Sequence, residues 1–254
     1  MNDMDNSLDR QKREKKFHDD KAEGKEKISS VYELKITNYV VKKLLEKIEQ
    51  SENLKVLEIG CGTGWFTKKL AEKGGEIHAY DISVEGIKKN QKIKENEFKD
   101  RIYIYNMTAE ELGFQNNVFD IIVANAVLHH TNLKKSIPEI CRVVKKGGTV
   151  YFVEPLGHNP LLNFYRNKTP QLRTPDETPL MFSDIEYFRT MFNTVDHKEY
   201  GFFVLIVYIL RYVIKDRELL DRIIHLLHRF DEVFIQTFPF IRKHCWLTLV
   251  TLRR

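Results

Sequence analysis

The apolar positions of this chain change period again and again along its length. Residues 31–50 set Leu34, Ile36, Val40, Val41, Leu44, Leu45 and Ile48 at three-to-four spacing, which predicts an amphipathic helix. After it, short β-type runs alternate with helix-period runs. "KVLEI" (55–59), "EIHAYD" (76–81), "RIYIYN" (101–106), "FDIIVAN" (119–125) and "TVYFVE" (149–154) read as strands. "WFTKKLAEK" (65–73) reads as a helix stopped by Gly74-Gly75, and Ser83 is placed to cap a helix running to about Phe98. Another helix covers roughly 133–145 and ends at Gly147-Gly148. Five strands separated by helical connections predict a parallel, doubly wound sheet with right-handed crossovers.

The pattern then loosens. A Pro-rich segment leads to a helix start with a capping-box spacing, Ser183 to Glu186. "TVDHKEYGF" (194–202) reads as a sixth strand, and "HCWLTLVTLRR" alternates as a buried strand that must return antiparallel. Some forty strongly apolar residues of helical period lie between them. The expectation is an α/β, Rossmann-like, doubly wound and mostly parallel seven-stranded sheet with an antiparallel last strand and a helical lid insertion. Residues 1 to about 27 have no hydrophobic period and predict a solvated helix or a flexible arm. The domain reading is a charged arm, 1–30, and a single domain, 31–254. Within it, 156–183 and 203–243 are insertions on the substrate side, and topology carries 203–243 over the mouth of the site.

Composition narrows the class. A chain of 254 residues can bury a full core, and 42% hydrophobic with 30% charged residues excludes wholesale disorder. The net charge of +5 is mild. Residues 1–30 carry eight basic and eight acidic side chains, whereas 198–254 carry ten and six. Three scattered cysteines give no disulfide framework and no metal spacing, which points to a reducing compartment. The N-terminal residues have no apolar core of the secretory type. The longest apolar run, "FFVLIVYIL" (202–210), is about half of what a membrane-spanning helix needs. The expectation is a cytoplasmic chain, with peripheral contact at the inner membrane face through 203–243 as an option. No metal and no nucleic acid partner is expected, and the oligomeric state stays open.

The most informative stretch is "LKVLEIGCGTGWF" (54–66), a strand running into Gly60, Gly62 and Gly64. Open parallel sheets bind ligands beyond the carboxyl ends of their strands, where the strand order reverses. Glycines there let a ligand lie against bare main chain. Asp81, 17 residues beyond Gly64 at the end of the second strand, is placed to accept hydrogen bonds from both hydroxyls of a ribose. A nicotinamide fingerprint would need a glycine where Trp65 stands, and no Gly-Lys-Ser/Thr follows to make a P-loop.

The pattern E-x-G-x-G-x-G (Glu58 to Gly64) resembles that of class I S-adenosylmethionine-dependent methyltransferases. The resemblance continues through "YDIS" (80–83), "TAEEL" (108–112), "FDIIVANAVLHH" (119–130) and "EICRVVKKGGTVYFVEP" (139–155). It covers about residues 53–155 and is nearest to the small-molecule and quinone methyltransferase branch. It implies S-adenosylmethionine as cofactor. Gly60, Gly62 and Gly64 would face its methionine moiety, with Glu58 shaping the loop and Cys61 serving as a small residue within it. Asp81 would hold the ribose and Ile82 would lie against the adenine. Thr108 and Ala109 would border the adenine edge, and Asn125 would sit beside the sulfonium.

Methyl transfer from a sulfonium is an in-line displacement, so alignment and exclusion of water are the main tasks. A base is needed only where the acceptor must lose a proton. His129 and His130, directly after strand four, are candidates, against the alternative that they cap or pack the next helix. Glu154 and His158, beyond strand five, are further candidates. The apolar 203–243 segment, with interleaved Arg and Lys, suggests a hydrophobic or amphipathic acceptor such as a quinone, polyketide or lipid-linked small molecule. Arg166 and Arg173 could grip an anionic group on it. Two rivals stand beside this reading. A nucleic-acid or protein methyltransferase is disfavoured because Asn125-Ala126-Val127-Leu128 lacks the Asn/Asp-Pro-Pro-aromatic block. A non-catalytic S-adenosylmethionine-binding partner module is the other.

Overall fold

Seven strands form a single sheet in the order β3-β2-β1-β4-β5-β7-β6. The computed structural model describes residues 3–25, 36–50, 53–207, 210 and 214–254. The strands are β1 (Lys55–Ile59), β2 (Glu76–Asp81), β3 (Ile102–Asn106), β4 (Phe119–Asn125), β5 (Val144–Pro155), β6 (Thr194–Tyr200) and β7 (Leu247–Arg253). The pairings β1 with β2 and β4, β2 with β3, and β4 with β5 are parallel, whereas β7 runs antiparallel to both β5 and β6. The seven expected strands and the reversed last one are thus all present, in a Rossmann-like architecture.

The helices are α1 (Asp3–Ala22), α2 (Ile36–Lys47), α3 (Trp65–Ala71), α4 (Val84–Glu97), α5 (Leu133–Val143), α6 (Pro160–Lys168), α7 (Phe182–Phe188) and α8 (Arg217–Thr237). The first turn expected of α2, with Leu34, lies outside the described residues, as does Arg211. Strand alternation sends successive side chains to opposite faces. Val56 and Val123 pack under Val40 and Leu44 of α2 and Phe66 and Leu70 of α3. Leu57, Ile59, Ile122 and Phe152 pack under Ile137 and Ile140 of α5 and Phe188 of α7. Both faces of the sheet are covered, as a parallel sheet requires.

Two boundaries differ from the sequence expectation. The helix before β5 ends at Val143 rather than near 145, because Val144 already pairs with Phe119 and the Lys145–Gly148 stretch is accommodated as a register shift within the strand. The helix at 182 is capped by Asp184, which accepts the Met181 N–H at 2.8 Å. Ser183 and Glu186 do not form the expected box, and Glu186 instead pairs with Arg189. No helix among the described residues is long and apolar enough to cross a membrane.

Candidate active site

The strand order reverses between β1 and β4, and a crevice opens beyond their carboxyl ends. It has two adjoining chambers that share Gly60, Gly62, Asp81 and Asn125. The loop after β1 folds back on β2, with the N–H groups of Gly60 and Cys61 both donating to the Tyr80 carbonyl at 2.9 Å. Gly62 has φ +48°, and a Cβ built there would meet nothing within 4 Å. Bare backbone therefore faces the crevice at Gly62. Gly60 is required for another reason, since its Cβ would collide with the Val127 side chain at 2.3 Å.

Gly64 does not border the crevice. Its Cβ position points at Asn90 Oδ1, 2.4 Å away, so its lack of a side chain serves packing of the loop on α4. That corrects its expected role against the ligand. The other nine residues expected around a cofactor do line one chamber or both. Glu58, Cys61 and Asn125 line one, and Ile82, Thr108, Ala109 and Asn125 line the other.

Asp81 is nearly buried and already engaged. Its Oδ2 accepts the Gly62 N–H and its Oδ1 the Ser83 N–H, each at 2.7 Å. A carboxylate offers about four lone-pair directions, so each oxygen keeps one for a further donor. Glu58 is 1% exposed, and its Oε2 finds no partner among the described residues. Burial pushes its carboxyl up to about 8. Burial also raises the Cys61 thiol, as suits an inert packing residue.

The three expected catalytic side chains separate. Glu154 is fully buried, and its Oε1 accepts the N–H groups of Val127 and Leu128 at 3.0 and 2.9 Å. Its Oε2 lies 2.7 Å from His129 Nδ1. Ala126 needs this support, because it sits at φ +57° where a non-glycine backbone is strained. Glu154 and His129 therefore brace the turn after β4, and neither reaches the crevice. This corrects both as candidate bases. His130 does line the crevice, and burial lowers its imidazole to about 3, leaving it neutral and only weakly basic at ordinary pH. His158 accepts the Phe182 N–H at 3.0 Å and stands apart. Arg166 bonds to the Leu156 carbonyl and Asn163, and Arg173 pairs with Glu177, so both hold their own segment together.

The largest departure is α1. The described part of the charged N-terminal arm is a helix with a solvated outer face, but its inner face, with Arg10, Gln11, Glu14 and His18, forms one wall of the crevice. Four sets of contacts fix it. Glu110 accepts from Gln11 at 2.9 Å, and Arg13 grips Asp176 with two bonds of 2.7 and 2.8 Å. Asp19 accepts from Ser83 Oγ at 2.7 Å, and Thr174 donates to Glu14. Sequence reasoning missed this wall because its inward residues are polar and carry no hydrophobic period. The only available signal was the uninterrupted helix-forming composition of residues 3–22.

None of the described residues of the 203–243 segment lines the crevice, so among them the expected cover is absent. β6 lies three strand spacings of about 4.8 Å from β4, so the chain leaving it emerges at the sheet's margin. There α8 packs Leu220 and Ile224 into the core with α2, and Tyr39 stacks on His228 at 4.3 Å. Buried Asp231 accepts the N–H groups of Phe202, Phe203 and Val204.

Comparison with known proteins agrees with this geometry. The family model described as "Methyltransferase domain" matches residues 57–152. Malonyl-[acyl-carrier protein] O-methyltransferase of Buchnera aphidicola is 37% identical over 122 residues, which is 48% of this chain and 47% of that protein. The chain spans less than half the length of the first curated relatives it matches. Among solved structures, the YcgJ protein of Bacillus subtilis superposes with a TM-score of 0.59 at 22% identity, covering 85% of this chain and 99% of that one. A phosphoethanolamine N-methyltransferase of Haemonchus contortus, solved with S-adenosylhomocysteine and phosphomonomethylethanolamine, gives a TM-score of 0.61 at 19% identity. It covers 85% of this chain and 52% of that one.

Proposed function

Because residues 57–152 are a class I methyltransferase domain, we propose that this protein transfers a methyl group from S-adenosylmethionine to a small amphipathic acceptor. The observation that carries the reading is the open backbone at Gly62 directly beside the Asp81 carboxylate, in a crevice whose two adjoining chambers share both residues and Asn125. The Haemonchus structure, solved with the demethylated cofactor, supports the same assignment.

The chain's residues take the following parts. Gly62 lets the methionine portion approach the loop, and the partnerless Glu58 Oε2 lies beside that chamber as an acceptor for a cationic amino group. Asp81 offers its remaining lone pairs to the ribose diol. Ile82, Thr108 and Ala109 enclose the adenine, with Ala109 buried in the apolar core behind it. Asn125 and the strained Ala126 end β4 at the junction of the chambers, where the methyl group must pass. When bound, the sulfonium supplies an activated methyl whose carbon bonds to the acceptor's lone pair as the carbon–sulfur bond breaks and its electron pair stays on sulfur.

The α1 side of the chamber that also holds Ile82, Thr108 and Ala109, where the acceptor would enter, presents no strong base among the described residues. His130 is weakly basic, and the Glu14 carboxyl is held well below its usual range: burial alone would raise it, but the adjacent His130 and His18 imidazoles and the Thr174 hydroxyl outweigh that. The site therefore suits an acceptor already nucleophilic at neutral pH. Arg10 lines this chamber with buried Nε and Nη2 atoms that find no partner among the described residues, which favours an anionic group on the acceptor. The apolar part of the reading rests on α8, which exposes Leu226, Phe230 and Val233 along with the basic Arg222 and Arg229, with Phe240 beyond. Such a face suits contact with a lipid surface that delivers the acceptor.

The test is incubation of the protein with methyl-labelled S-adenosylmethionine and a fractionated extract of the source organism. Label should enter a small organic-soluble acid. Label confined to protein or nucleic acid would overturn the substrate class. Sedimentation with anionic vesicles, lost in Phe230→Asp with Phe240→Asp, tests the lipid contact; equal sedimentation of wild type and variant would remove it.

A further inference from the structure

On the wall of the crevice opposite Asp81, three side chains from two elements converge. Glu14 and His18 are one helical turn apart on α1, and His130 ends the short helical turn Leu128–His130 after β4. Glu14 Oε2 lies 3.0 Å from His130 Nδ1 and 3.6 Å from His18 Nε2, and one donor atom from each residue falls within 4.8 Å of the others. Glu14 is 3% exposed, yet its Oε2 and the facing His130 Nδ1 make no hydrogen bond among the described residues. At 3.0 Å the pair is close enough to bond but misaligned, so a proton on Nδ1 would not point at the carboxylate. Two acceptor atoms turned toward one point in a buried wall need a positive centre there.

We propose that Glu14, His18 and His130 form a three-ligand site for a first-row divalent transition ion of the Zn2+ class. Two imidazoles and one carboxylate are the donor set such ions prefer, and ligand bonds of about 2.0–2.1 Å on a tetrahedral ion put neighbouring donors about 3.4 Å apart. The observed 3.0 and 3.6 Å straddle that separation. The second Glu14 oxygen accepts the Thr174 hydroxyl, which fixes the orientation of the carboxylate as partners behind a metal ligand commonly do. A competing trio, His129, His130 and Glu177, is less suited because Arg173 already engages the Glu177 carboxylate. The three side chains line the same chamber as Arg10 and Gln11, so the fourth coordination position is open to a water or to a ligand oxygen from that chamber. It also fastens α1 to the turn after β4. This goes beyond the methyltransferase reading and stands independently of it.

The full-length protein, treated with chelator and dialysed, is titrated with Co2+, followed by its visible bands, and then with Zn2+ in competition. One equivalent should bind, raising the melting temperature. Glu14→Gln and His18→Ala should each weaken the Kd at least about 10-fold. Failure of the wild type to bind one equivalent overturns the proposal, as does equal binding by either folded variant. Anomalous scattering from Zn2+-soaked wild-type crystals needs no variant: a peak between the three side chains supports the site, and its absence there overturns it. S-adenosylmethionine binding by the metal-free protein, measured in parallel, keeps the two readings distinguishable.

Discussion

Asp19 of α1 accepts the Ser83 hydroxyl at 2.7 Å, and the Ser83 N–H donates to Asp81 Oδ1 at the same distance. The wall of the crevice and the carboxylate assigned to the ribose are thus joined through one serine. Asp19 also accepts the Glu85 N–H at 3.1 Å, so it adds to the cap of α4.

Asp19→Ala should loosen α1 by about 1–2 kcal/mol, the worth of a cap and a charge-assisted hydrogen bond. Faster amide exchange in α1 with unchanged exchange in β1 and β4 is the expected outcome; identical exchange in α1 would contradict it. Burial raises the Asp19 carboxyl, but the bonds from Lys15, Ser83 and Glu85 outweigh it and leave it below the usual value. Its contribution to docking is therefore complete above the ordinary carboxyl range near pH 4 and fades as pH falls further.

The two loop glycines should fail differently. Gly60→Ala forces a methyl against Val127 and lowers the melting temperature. Gly62→Ala meets open space, so its stability cost is about 1 kcal/mol from the positive φ, while its methyl intrudes on the cofactor. Thermal melts paired with calorimetry check this. Similar stability losses with intact cofactor affinity in both would show that Gly62 faces no ligand.

His129→Ala should act on stability first. It strips a partner from a fully buried carboxylate, a change that costs about 3 kcal/mol or more. In a chain of this size that lowers the melting temperature by about 6 °C or more. A variant that melts like the wild type but loses turnover would restore His129 to the chemistry.

Glu58 should make the ligand-free protein less stable in mild alkali. Its carboxyl is raised to about 8, so its neutral buried form costs nothing extra below the unfolded value near 4.5. Stability is lost as pH climbs from there through 8, by at most about 1.4 kcal/mol per pH unit. Glu58→Gln should gain on the wild type between pH 5 and 8. Parallel melting curves across that range would refute the assignment.

The sheet was legible because each strand and helix between 55 and 155 announces its own period, and glycines mark the turn at the switch point. The position of Asp81 beside the glycine loop was legible from its offset and its place at the end of β2. Glu154 misled because a charged residue at a strand end reads as exposed, whereas here it satisfies three buried groups after β4. α1 was illegible because Arg10, Glu14 and His18 face inward to a polar cavity, and a polar inward face has the sequence of a solvated helix. The apolar 203–243 segment misled in the opposite direction: Leu220, Ile224 and Ile235 are apolar because they complete the core at the β6 margin.

Calorimetric titration of the full chain with S-adenosylmethionine tests the central claim most directly. Saturable binding of one molecule per chain, abolished in Gly62→Val while the melting temperature stays within a few degrees, is the predicted result. No saturable heat from the folded wild type, or equal affinity in Gly62→Val, would contradict it.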